Sequence, residues 1–202
     1  MQVFEAAQDD ATRIRLQALG SKLVGVGLPA VVGAGFLASD IAEIIFGTDY
    51  RQDAAPIMPW LAAAIFVGAF KSYFLDVAFQ LRQATKYQGY IAILMALVNV
   101  VLNLLLLPRF GVIAAAWATL AAFSVGALAS WAVGRSLFAL PDLGNVYWGS
   151  ASACAMMVFV LYLLPSSSGF IWLLAKFAAG FITYVMTAWV LDVAGCRRLL
   201  KA

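Results

Sequence analysis

Histidine is missing from all 202 residues of the chain. That absence removes Ser-His and Cys-His nucleophile pairs, His-ligated haem and most zinc chemistry. Cysteine is nearly as scarce. Cys154 sits within an apolar run and Cys196 near the end, with no paired spacing, so neither a disulfide framework nor a thiolate metal site is indicated. Charged residues make up 11% of the chain, against about 25% in a typical soluble domain. Nor is there a Gly-rich phosphate loop, a zinc signature, a carboxylate pair at helical spacing inside an apolar run, or a repeat of solenoid period. The expectation is a protein that is not an enzyme, holds no cofactor or metal and has no nucleic-acid partner.

What the sequence has instead is apolar length. It is 64% hydrophobic with a mean hydropathy of +0.94, which places it in a bilayer. Six hydrophobic runs are long enough to cross hydrocarbon at ~1.5 Å per residue: about 22–46, 57–81, 90–107, 112–133, 146–164 and 170–193. The predicted fold is therefore all-α, a polytopic membrane protein with six transmembrane helices.

The chain divides into a lead-in over 1–21, four helices over 22–135, a connection over 136–145, two terminal helices over 146–193 and a basic tail over 194–202. The lead-in is not a secretory signal, because Glu5, Asp9 and Asp10 precede its basic residues; it reads as amphipathic, with Ile14, Leu16 and Leu19 against Arg13, Arg15 and Lys22. Within the first run, Gly25, Gly27, Pro29, Gly33 and Gly35 predict a bend near Pro29.

Orientation follows from the lysines and arginines. With six crossings, one side collects Arg13, Arg15, Lys22, Arg82, Lys86, Arg135, Arg197, Arg198 and Lys201, and the other only Arg51 and Arg109. That bias puts both termini in the cytoplasm.

Polar residues inside the runs are the candidates for function. Lys71 falls near the middle of the second, where a cation costs at least ~2.5–3.5 kcal/mol on insertion scales, so it should face a polar cavity or a carboxylate. The competing reading is a structural ion pair or a snorkelling side chain. Asp76 lies five residues on, about 140° round an α-helix, which makes it a poor partner for Lys71 on the same helix and suggests pairing across to another. Asp40 and Glu43 read as solvated interfacial residues beside an external turn over 47–51. Lys176, about two turns into the last run, can reach its nearer surface and is assigned no special role.

The third and fourth runs form a hairpin broken by Pro108, Arg109, Phe110 and Gly111. Asn99 and Asn103 share one face of its first arm and should face protein rather than lipid, either as interhelical hydrogen-bonding groups or as cavity lining. In the second arm, small residues recur at Ala114, Ala118, Ala122, Gly126, Ser130 and Gly134, a seam for close helix approach. Steps of four drift by about 40° each, so the upper and lower parts of this stripe should serve different neighbours.

Taken in order, these features resemble a known family. Asp40-Ile-Ala-Glu-Ile-Ile-Phe-Gly-Thr-Asp-Tyr-Arg51, Ala54-Ala-Pro-Ile-Met-Pro-Trp-Leu61, Asn99-Val-Val-Leu-Asn103, Leu107-Pro-Arg-Phe-Gly111 and Ala114-Ala-Ala-Trp-Ala-Thr119 resemble the carboxy-terminal region of polysaccharide flippases. These are the O-antigen and exopolysaccharide transporters of the multidrug/oligosaccharidyl-lipid/polysaccharide exporter superfamily. The resemblance covers roughly residues 9–119; the last two helices match only as generic spans.

It implies translocation of lipid-linked oligosaccharide, on a polyprenyl diphosphate carrier, across the bacterial inner membrane by alternating access between two helical lobes. Such flippases have about twice as many spans, so the chain resembles most of a second lobe plus two terminal helices. The first lobe would be absent or supplied by another membrane subunit. On this resemblance Lys71, Asn99 and Asn103 belong to the substrate cavity, and Asp76 is an ion-coupling site or a counter-charge. Two alternatives stand beside it: a non-transporting scaffold or truncated remnant, and, further off, a six-span membrane enzyme.

Overall fold

The computed structural model describes residues 2–47, 50–165 and 169–193. Thr48 and Asp49 of the external turn, the serines at 166–168 and the tail, with Cys196, Arg197, Arg198 and Lys201, lie outside them. Among the described residues there are helices and no strands. Six of the helical segments are long and apolar enough to cross a membrane.

The first, α1 (Gln2–Phe36), absorbs the lead-in into one continuous helix, and α2 (Ala38–Ile45) follows it. The second crossing is α3 (Arg51–Phe70), a π-helical turn (Lys71–Leu75) and α4 (Val77–Leu81). Then come α5 (Lys86–Phe110), α6 (Ile113–Leu137), α7 (Gly144–Leu163) and α8 (Phe170–Val190).

Pro29 lies inside α1 and Pro108 inside α5. Helix α1 continues through Pro29, and its interruption comes at Leu37. A proline removes the N–H that would bond the carbonyl four residues back, here that of Gly25. The Tyr184 hydroxyl, from α8, donates to the Gly25 carbonyl at 2.6 Å and replaces the missing donor. Likewise Pro108 lies inside the last turn of α5, and the break falls at Gly111, whose φ of +68° is a left-handed value open to glycine. Only Gly111 and Val112 separate α5 from α6, so the two arms of the hairpin are forced side by side.

The crossings form a row of neighbours: α5 packs on α6, α6 on α3, α3 on α1, α1 on α7 and α7 on α8. Helices α1 and α3 run antiparallel, as glycine contacts along α1 show: Gly35 faces Pro59, Gly27 the Phe66 ring and Gly20 the Phe74 ring. One buried cluster joins Leu16 of α1 to Phe74, Leu75, Ala78 and Phe138. A second joins α7 and α8 through Met157, Leu161, Tyr184 and Ala188, against Leu28 and Val32 of α1. Helix α5, at the end of the row, has Ile91 as its one buried residue and is otherwise strongly apolar, as suits a helix facing lipid.

All six small residues of the α6 stripe are buried. Ala122 faces the α5 side beside Met95 and Ala96, whereas Gly134 lies against Ala78 and the Leu75 carbonyl in the second crossing.

Candidate functional site

The site grows out of the π-helical turn. In an α-helix, residues five apart point in different directions, and on that geometry Lys71 and Asp76 were expected to miss each other. Here the Asp76 N–H donates to the Lys71 carbonyl at 2.9 Å, an i→i+5 bond that widens the turn by one residue and brings the two side chains onto one face. The Lys71 ammonium then donates to Asp76 Oδ2 at 2.7 Å, with the two side chains 8% and 9% exposed. The expectation about their spacing is thus corrected: the pair is local, and the departure from α geometry makes it so.

Asp76 also reaches across to another helix. Ser130 of α6, itself fully buried, donates from its hydroxyl to Asp76 Oδ1 at 2.7 Å, so each carboxylate oxygen has its own donor. Gln88 donates to the Asp76 backbone carbonyl at 3.3 Å, tying the start of α5 to the same turn. The aliphatic stem of Lys71 crosses α6 at Gly126, where a Cβ would lie 3.2 Å from Lys71 Cε and would strike the Met95 side chain of α5. Gly126 is therefore small because a lysine stem and a methionine share its space.

Met95 connects this site to a hollow of about 210 Å³ between α5 and α6, lined also by Ala96, Asn99, Thr119, Ala122 and Phe123. Asn103 donates through Nδ2 to the Asn99 carbonyl at 2.9 Å and to Asn99 Oδ1 at 3.1 Å, while Asn99 Nδ2 donates to Thr119 Oγ1 at 3.4 Å. Both asparagines are half-buried, and Asn99 meets α6 through Thr119. Lys71 lines neither this hollow nor the apolar groove between α1 and α3.

Two further charges were misplaced by sequence reasoning. Lys176 does not run out to the membrane surface; it is 8% exposed and donates to both Asp40 oxygens at 2.9 Å, joining α8 to α2. Asp40 is correspondingly an ion-pair partner rather than a solvated interfacial group. The pair spans 136 positions, and no local pattern announces it. Ser130 was visible only as a small residue; that it alone in the stripe carries a hydroxyl was the available signal. Among the described residues no group of three or more Cys, Asp or Glu is arranged to hold a metal ion.

No protein-family model and no curated protein matches the chain. Its fold is similar to a solved structure of the lipid II flippase MurJ in an inward closed conformation, with a TM-score of 0.72 at 18% sequence identity. The similarity covers 93% of this chain and 40% of that one. The chain thus has a flippase-like fold and spans about 40% of the length of the protein it matches.

Proposed function

We propose that the chain is one part of a transporter that moves lipid-linked oligosaccharide from the cytoplasmic to the outer leaflet of a bacterial inner membrane. The observation that carries this reading is the agreement of its fold, over 93% of its length, with a protein named as a lipid II flippase. A cavity needs two walls, and this chain supplies one; the other comes from further helices of the same polypeptide or from a second subunit. The role is that of a carrier rather than an enzyme, with polysaccharide building blocks as cargo and both termini in the cytoplasm.

Lys71 supplies the electrostatics. In the arrangement described above, Asp76 neutralises it. Unpairing a buried charge is costly, so the ammonium can leave Asp76 only when another anion takes its place. The diphosphate of a polyprenyl carrier is such an anion and forms charge-assisted hydrogen bonds with lysine. Asp76, still held by Ser130, is then relieved by a proton or a bound cation, which makes it the coupling position. Asn99 and Asn103 offer amides to sugar hydroxyls or line the cavity wall.

The test separates chemistry from folding. Lys71→Met alone strands a buried carboxylate, so it is compared with Lys71→Met/Asp76→Asn, which removes both charges and leaves Ser130 a partner. The reading predicts a double variant that accumulates normally in membranes yet fails to export glycan. Export at the wild-type level would remove Lys71 from the cavity. It would also favour the second reading, a non-transporting scaffold, to which the complete neutralisation of Lys71 by Asp76 already lends weight.

A further inference from the structure

Helices α1 and α3 leave between them an apolar groove of about 480 Å³. Its walls are Leu19, Val26 and Ala30 on α1 and Ala62, Ile65 and Ala69 on α3. Its floor is set by Gly27, where the Phe66 ring lies so close that a Cβ would meet it at 2.6 Å. Val26 and Ile65 remain 71% and 63% exposed, so the groove is open along its length.

One end differs chemically from the rest. Lys22 is the only charged residue that lines the groove, and it stands at the end near Phe70. Arg15 lies seven residues before Lys22, a displacement of about 20° round the helix and about 10 Å along it, so both project on the groove side. Both are exposed, and neither has an ion-pair or hydrogen-bond partner among the described residues. From Leu19 to Val31 the groove follows α1 for about 18 Å, close to the ~15 Å depth of one leaflet.

We propose that this groove is a binding site for an anionic phospholipid, its acyl chain lying between α1 and α3 and its phosphate held by Lys22 and Arg15. The charge at one end and a length of one leaflet select a lipid with a negative headgroup over a transmembrane helix, which would need an apolar face across both leaflets. This goes beyond the transport reading and does not depend on it.

The test places the photo-crosslinking residue p-benzoylphenylalanine at Ala30 in the full chain in its native membrane, with the same residue at Leu104, 72% exposed on α5, as the reference for bulk lipid. After irradiation the adducts are identified by mass. The expected result is lipid adducts at Ala30 enriched in anionic headgroups relative to Leu104. That enrichment falls about fivefold for each cation removed in Arg15→Gln and Lys22→Gln, and returns in Arg15→Lys and Lys22→Arg. Adducts in the bulk ratio, no lipid adduct, or an enrichment unchanged in Arg15→Gln/Lys22→Gln would overturn the proposal. A polypeptide adduct would overturn it too, assigning the groove to a helix and leaving the transport reading standing.

Discussion

Tyr184 illustrates how much of this molecule's stability depends on single polar groups placed in hydrocarbon. Its hydroxyl stands in for the hydrogen bond that Pro29 takes from the Gly25 carbonyl. Replacement by phenylalanine keeps the packing against α1 and leaves that carbonyl without a donor. A buried acceptor so stranded costs roughly 1–3 kcal/mol, and the loss is read as a lowered unfolding midpoint in detergent. A midpoint equal to the wild type would mean that water or a relaxed backbone satisfies Gly25. The sequence announced the proline but not its remedy, because the tyrosine lies 159 positions away. Lys71 and Asp76 follow the same logic more strongly. Removing either alone leaves a buried charge, with an expected loss of about 3–5 kcal/mol, whereas removing both should cost much less. A double-mutant cycle on unfolding measures the difference, and additive losses would contradict the pairing.

At the level of the element, the π-helical turn is the feature that no hydropathy pattern could reveal. An α-helical register puts Lys71 and Asp76 apart, and only an i→i+5 bond brings them together. Deleting Ser72, which is exposed, should convert the turn to α geometry and leave the pair four residues apart, still on one face. The variant is expected to fold and to keep the Lys71–Asp76 coupling in a double-mutant cycle; loss of that coupling would show that the turn does more than align the pair. By contrast, the existence of each crossing was plain from apolar length, and the burial of the α6 stripe follows its spacing. What spacing could not say is which stripe position meets which neighbour. Gly126 yields to a lysine stem, Ser130 to a carboxylate and Gly134 to Ala78, and these roles come from side chains on other helices.

For the whole molecule, the row of six crossings predicts alternate exposure of its connections. With both termini in the cytoplasm, as proposed above, cysteines placed at Gln83 and Asp142 should react with an impermeant maleimide only after the membrane is opened, whereas cysteines at Arg51 and Val112 should react in intact cells. Labelling of Gln83 and Val112 from the same side would break the six-crossing topology. The terminal helices are not a loose appendage, since Lys176–Asp40 and Tyr184–Gly25 both fasten α8 to the first crossing and its extension. Hydropathy placed those helices correctly, yet their docking rests on pairs too distant in sequence to be read.

The transport account is tested most directly by the distribution of lipid-linked oligosaccharide between leaflets. Intact cells carrying or depleted of the chain are treated with a membrane-impermeant glycan-labelling reagent, and the labelled fraction of carrier-linked sugar is measured. The account predicts that depletion shifts this glycan to the unlabelled, cytoplasmic-facing pool and that restoring the chain, but not its Lys71→Met/Asp76→Asn variant, reverses the shift. An unchanged labelled fraction on depletion would contradict it.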